Sequence, residues 1–142
     1  MKSIHQILTE ANSKVSKADK LKVLMENNSK TLQYILQGAY DKRVKCLLPD
    51  GEPPFNPVEK SKQVTLQAVE KDIPSLYKNG PMTKEPSVKV EMFFMQMLSK
   101  LTPEDAKIMV MAKDQRLQSI FKRLTKPVVK EFLAANNIQI EI

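Results

Sequence analysis

Residue types that carry much of enzyme chemistry are scarce in this sequence. Its 142 residues include one cysteine, one histidine, three glycines and no tryptophan. A single cysteine, Cys46, excludes an intrachain disulfide and a zinc site built on cysteines. The glycines, Gly38, Gly51 and Gly80, lie too far apart to form a phosphate-binding loop or a dinucleotide-binding fingerprint.

The titratable residues show no catalytic spacing either. No acid or nucleophile is tied by spacing to His5, which is therefore predicted to be a surface residue. The acidic residues are scattered, and the adjacent pair Glu104 and Asp105 suits the start of a helix, where acids face the positive end of the dipole. We predict a protein that is not an enzyme, with no metal site, no cofactor and no small-molecule substrate.

Long apolar runs are also missing. The longest strongly apolar stretch, 92–98, is far too short to cross a bilayer, and the N-terminal residues lack the apolar region of a signal peptide. We expect a soluble cytoplasmic protein without a membrane partner.

What the sequence does contain is a series of helical patterns. Apolar residues recur at the spacing of one helix face in several segments, separated by Asn-rich or Pro-containing breaks. Ser16 and Ser29 are predicted N-caps, and Thr102-Pro103 is a strong helix start. Leu21, Leu24 and Met25 are predicted to face the core from the second helix. We predict a compact all-α fold of about seven helices in a single domain, 1–142, with a tail at 136–142.

A proline-rich connector interrupts the helices at 47–63. Its first eleven residues hold four of the nine prolines, which remove backbone donors and fix φ, so neither helix nor central strand is expected there. A turn is predicted at Asp50-Gly51, and helix is expected to resume at 64–71. The connector is interpreted either as a rigid strap or as a protein-recognition segment.

The helices at 87–112 are rich in methionine. Five of the eight methionines lie between Met92 and Met111, and apolar residues occupy more than one face of both helices. These side chains are either adaptable core filling or a surface for a protein partner. Their exposure distinguishes the two interpretations, since an exposed apolar patch favours a partner.

The strongest functional signal is a cluster of cations in a chain whose formal net charge is +7. Between residues 113 and 130, six cations accompany one acid, Asp114, near the predicted helix junctions. The cations are Lys113, Arg116, Lys122, Arg123, Lys126 and Lys130. A weaker group, Lys42, Arg43 and Lys45, follows the third helix. Cations beside helix N-termini suit phosphate binding, and the lack of base-stacking aromatic residues favours duplex over single strands.

Two resemblances extend this interpretation. The N-terminal part resembles the helical DNA-binding domain of T-even phage ATP-dependent DNA ligase, on short apolar motifs such as Ile7-Leu8 and 24–27, and more loosely on Met109-Val110-Met111. In those ligases the domain contacts mainly phosphates, which implies DNA contacts for Arg116, Lys122, Arg123 and Lys126. The nucleotidyl-accepting lysine motif is missing, since Lys78-Asn79-Gly80 lacks its intervening residue.

The whole chain is also similar to an uncharacterised family of small proteins from T-even-like tailed phages. The similarity depends on Leu47-Leu48-Pro49-Asp50-Gly51, on Pro53-Pro54-Phe55 and Pro57, and on Lys113-Asp114 with Leu117. It implies a host-cell cytoplasmic location and transfers no function.

Two functions remain open at the level of sequence. The first is a phage accessory protein that binds duplex DNA through its backbone with little sequence preference. The alternative is a protein-interaction module that uses helices 87–112 to bind a host or phage enzyme, such as a replication or transcription protein, or to serve a structural role.

Overall fold

The computed structural model describes residues 2–142, and it confirms the all-α prediction. Six α-helices and one longer 3-10 segment give the seven predicted helices, and two three-residue 3-10 turns accompany them. The α-helices are α1 (Ile4–Ser13), α2 (Lys17–Glu26), α3 (Lys30–Tyr40), α4 (Ser87–Lys100), α5 (Pro103–Lys113) and α6 (Lys126–Ala135). The 3-10 segments are Lys60–Lys62, Leu66–Leu76 and Leu117–Ser119. Between residues 2 and 142 there is no β-strand, only isolated bridges.

Hydroxyl groups cap four of the helices. The side chains of Ser3, Ser16, Ser29 and Thr102 each accept a hydrogen bond from a backbone N–H of the first helical turn. These bonds satisfy donors that have no partner inside the helix. The predicted starts of α2, α3 and α5 are therefore confirmed, with Pro103 in the first turn of α5.

Helix α5 is the centre of the fold. Seven of its eleven residues are buried, and they lie around the whole helix rather than along one stripe. It packs against α1, α3 and α4, so it is covered on several sides, as its two-faced apolar pattern predicts. Its buried residues are Asp105, Ala106, Ile108, Met109, Val110, Ala112 and Lys113.

The buried carboxylate of Asp105 joins three parts of the chain. Its side chain has 0% relative exposure, and it accepts hydrogen bonds from the backbone N–H of His5 at 3.1 Å and of Leu66 at 2.8 Å. Burial raises the pKa of this carboxyl, while the two N–H donors act against that rise. Asp105 thus connects the start of α5 to the starts of α1 and of the 66–76 segment.

The connector runs along the end of α4. The N–H of Val58 donates to the carbonyl of Ser99 at 2.9 Å, and the N–H of Val64 donates to that of Lys100 at 2.8 Å. Residues 47–59 form neither helix nor strand, as their prolines predict. The expected helix at 64–71 begins instead at Leu66, is 3-10, and bends at Val69, whose backbone is non-helical.

The core of α2 differs from the prediction. Val23 and Leu24 are buried, but Met25 is exposed and Leu21 is only half-buried. The stem of Lys20 completes the inward face, because a long charged side chain can bury its methylenes while its amine stays near water. The inward face predicted from the sequence pattern is therefore about one residue off.

Replacing Asp105 by alanine should lower the free energy of unfolding by about 3 kcal/mol, because two buried N–H groups lose their acceptor. Urea denaturation followed by circular dichroism measures this. The exposed neighbour Glu104 is the control, and E104A should lower the free energy of unfolding by less than about 1 kcal/mol. Equal effects of D105A and E104A would contradict the linking role of Asp105.

Candidate nucleic-acid interface

Five cations of the predicted cluster are exposed. Arg116 follows α5, Lys122 and Arg123 lie in the loop before α6, and Lys126 and Lys130 lie on α6 itself. None of the five forms an ion pair with an acid of residues 2–142. Their charges are therefore available to a partner.

Buried residues fix the loop that carries these cations. Leu117, Phe121 and Leu124 alternate with the cations and belong to the hydrophobic core. Gln115 adopts a left-handed backbone with φ 56°, so that Arg116 N–H reaches back to the carbonyl of Met111 at 2.8 Å. The loop is thus packed between α5 and α6, and its polar residues lie outward.

A side chain from α1 anchors the middle of this loop. The Asn12 Oδ1 atom accepts a hydrogen bond from the backbone N–H of Arg123 at 2.8 Å. The sequence pattern indicates Asn12 only as a helix breaker, and no local signal points to a partner 111 residues away. The bond fixes the backbone at Arg123, whose guanidinium forms no ion pair with an acid of residues 2–142.

One cation from each of the two predicted basic groups lies at the same cleft. Lys42, after α3, and Lys126, at the start of α6, line a small cleft of about 110 Å³ together with Gln115 and Gln118. Tyr40 holds these elements together, since its hydroxyl donates to the carbonyl of Leu124 at 2.7 Å. Cations separated by more than eighty residues in sequence therefore share one surface.

Lys113 does not belong to this surface, and its predicted place there is wrong. The residue is 5% exposed, and its ammonium donates to the carboxylate of Asp114 and to the carbonyl of Pro49, at 2.9 Å. Asp114 also accepts from the N–H of Gly51 at 2.9 Å. The pair attaches the predicted Asp50-Gly51 turn of the connector to the end of α5, which is a structural role.

Arg43 is exposed but already engaged. Its guanidinium donates to the Asp41 carboxylate at 3.2 Å and to the carbonyl of Gln139 at 2.7 Å, and lies 3.8 Å from Glu141. It therefore holds the 136–142 tail rather than standing free for DNA. Lys42 and Lys45 are exposed and form no ion pair within residues 2–142.

The Asp41 carboxylate is the centre of this tail cluster. Burial alone would raise its pKa, but hydrogen bonds from Arg43 and from the N–H of Glu141 outweigh burial and lower it. A carboxyl group whose pKa is lower in the folded protein stabilises the fold at pH values above its pKa in the unfolded chain. That contribution to stability is lost as the pH falls through the pKa of the folded state.

No metal-binding cluster accompanies the basic surface in the described part of the chain. Residues 2–142 hold no group of three or more histidine, cysteine, aspartate or glutamate side chains that could bind a metal ion. None of the helices between residues 2 and 142 is both long and apolar enough to cross a bilayer.

The predicted surface residue His5 is in fact half-buried, and its ring lies 6.4 Å from that of Phe121.

Substituting Lys113 by methionine should destabilise the protein by about 3 kcal/mol, because Asp114 would stay buried without its cation. Any affinity of the folded protein for duplex DNA should not change. Urea denaturation and fluorescence anisotropy below the unfolding range separate the two effects. A flatter salt dependence of DNA affinity in K113M would show that Lys113 contacts DNA and would contradict its structural role.

The Glu141 amide should report the titration of Asp41. Its proton chemical shift, followed by NMR as pH falls, should change with a midpoint below about 3.9, the ordinary aspartate value. D41N should abolish that step. A midpoint at or above the ordinary value would contradict the tail cluster.

Comparison with known proteins gives a family and no function. No curated protein and no solved structure matches the chain. The model of DUF6433, described as a family of unknown function, matches residues 7–119. The match includes the connector, α5 and Arg116, and ends before α6 with the remaining cations. Since it spans well over half of the sequence, the protein belongs to the DUF6433 family of unknown function.

Proposed function

We propose that this protein binds duplex DNA through the phosphate backbone, with little sequence preference and without catalysing a reaction. The observation that carries the proposal is the set of five exposed cations between residues 116 and 130, none of them paired with an acid of residues 2–142. Neutralising phosphates with such cations releases counterions, and this release drives association.

Nearby acids do not cancel this charge. Asp114, the one acid between 113 and 130, is bonded to Lys113 and to the N–H of Gly51. Glu131, next along α6, pairs with Lys17 at 2.6 Å. The net charge of the surface is therefore positive, as a polyanion partner requires.

The start of α6 adds neutral donors to the charged ones. The hydroxyl of Thr125, at the N-cap position, accepts no capping bond, and Lys126 begins the helix beside the cleft shared with Lys42. Pro127 has no N–H, so the first-turn N–H groups of Lys126 and Val128, with the positive end of the dipole, favour a phosphate oxygen there. Such contacts position a protein on DNA but do not distinguish base pairs.

The resemblance to phage sequences supports the finer part of this proposal. We infer an accessory protein of a tailed phage, acting in the host cytoplasm, whose helices correspond to a ligase DNA-binding domain without the nucleotidyltransferase. This inference depends on sequence motifs alone, because no solved structure matches the chain. Its supporting feature is that the loop cations singled out by the resemblance are exposed.

A second candidate function is favoured by a different observation. Met92 on α4 is 58% exposed and Val88, one turn earlier, is 64% exposed, whereas Met97 and Met109 are buried. An exposed apolar face on a helix is typical of a protein-interaction surface. The second candidate is therefore a protein-interaction module that uses α4, and it is compatible with DNA binding elsewhere on the molecule.

Reversing the charge of two loop cations tests the first proposal. R116E/R123E should reduce affinity for a labelled duplex by at least about tenfold at low salt, and about equally for unrelated sequences. The slope of log affinity against log salt should become flatter by about 0.9 for each phosphate that the variant no longer neutralises. Fluorescence anisotropy at several salt concentrations measures both quantities.

K62E/K84E is the matched control, with the same change in net charge at exposed lysines outside the basic surface. It should leave most of the affinity and the salt slope intact. If both double variants weaken binding equally, the interaction depends on overall charge and the assignment to residues 116–130 is wrong. If the wild type does not bind duplex even at low salt, the DNA proposal fails.

A further inference from the structure

A second cleft lies between the connector and α4. It encloses about 240 Å³, and its apolar walls come from Pro49, Pro53 and Pro54 of the connector and from Phe94 and Met95 of α4. The Lys113–Asp114 pair described above holds the connector in place at this cleft. These contacts fix the shape of the cleft, which forms where the connector passes over α4.

The size of the cleft limits what can occupy it. Sites for small molecules and cofactors generally enclose about 300–1,000 Å³, which is more than this cleft offers. A volume near 240 Å³ suits one large apolar side chain. Protein segments with one anchoring side chain bind clefts of this kind.

The charge at the cleft is opposite to that of the chain as a whole. Asp50, Glu52 and Glu91 line it, and none of them forms an ion pair with a cation of residues 2–142. The one cation among the lining residues, Lys113, is buried against Asp114, with its ammonium 5.6 Å from the centre of the Phe94 ring. Three unpaired carboxylates repel phosphate and acidic segments, and attract lysine or arginine.

The apolar surface extends beyond the cleft along α4. Val88, Met92 and Met95 follow one another at spacings of four and three residues, so they share a helix face. Met95 is a wall of the cleft, while Val88 and Met92 are exposed beyond it. Methionine side chains adapt to the shape of a partner and are common on such surfaces.

We propose that the cleft and the adjoining face of α4 bind a segment of another protein that carries an apolar side chain flanked by lysine or arginine. The apolar side chain would occupy the cleft, and its cationic neighbours would pair with Asp50, Glu52 and Glu91. This proposal names the partner chemistry of the second candidate function and rests on it. It does not depend on DNA binding by the basic surface.

A pair of synthetic peptides tests the partner chemistry. One is a fluorescein-labelled helical peptide with leucine on one face and lysine on the other, and the second has glutamate in place of every lysine. The lysine peptide should bind more tightly by at least about tenfold, the effect of several charge pairs across an interface. Equal affinities, or no binding of the lysine peptide, would overturn the proposal.

Variants of the intact protein locate the binding. E52K/E91K and V88S/M92S should each lower the affinity for the lysine peptide by about tenfold. The control E26K/E59K makes the same charge change as E52K/E91K at exposed acids outside the cleft and should leave that affinity unchanged. Thermal unfolding verifies that the variants are folded. Unchanged peptide affinity in E52K/E91K would contradict the assignment.

The DNA-binding variant separates the two proposals. R116E/R123E should bind the lysine peptide as tightly as the wild type does. If the wild type binds the peptide but not DNA, only the DNA proposal fails. If it binds DNA but not the peptide, only this proposal fails. Sedimentation velocity tests whether a second copy of this chain occupies the cleft instead. A concentration-dependent dimer that E52K/E91K disperses would make the occupant a second copy of this chain and overturn its assignment to another protein.

Discussion

The fold depends on the burial of α5 together with the two charges at its ends. Asp105 at the start binds backbone N–H groups of α1 and of the 66–76 segment, and Lys113 at the end holds the connector through Asp114 and Pro49. A buried charge is costly unless it is paired or hydrogen-bonded, so these contacts select one arrangement of the surrounding chain. Both proposed surfaces follow from it, because the loop after α5 carries Arg116 and the connector forms the acidic cleft.

Local patterns predict the α-helices, but neither the 3-10 geometry of residues 66–76 nor the partners of charged side chains. Caps such as Ser16 and Ser29 act within four residues, so the sequence predicts them. The apolar residues on more than one face of α5 leave core filling and a partner surface open, and its burial shows that they fill the core. Lys113 looks like any other lysine of its cluster in sequence. Its burial depends on Pro49, 64 positions away, which no periodicity reveals. For the same reason the pattern assigns Asp105 to its own helix start, although its side chain serves two other segments.

The molecule presents surfaces of opposite charge. The cations around the start of α6 suit a phosphate backbone, whereas the carboxylates between the connector and α4 suit a cationic protein segment. If both proposals hold, these opposite charges reduce competition, because the cleft repels DNA and the α6 surface repels a basic segment. A protein of this design could hold duplex DNA and a basic partner at the same time, which would unite the two candidate functions in one small helical domain.

The most direct test of DNA binding by the basic surface is an NMR titration of ¹⁵N-labelled protein with an unlabelled duplex at low salt. We predict that amide shifts concentrate at Lys42, Arg116 and residues 122–130, and that α4 stays unchanged. The same residues should respond to duplexes of unrelated sequence. Shifts centred on α4 and the connector, or no shifts at all, would contradict DNA binding by the basic surface.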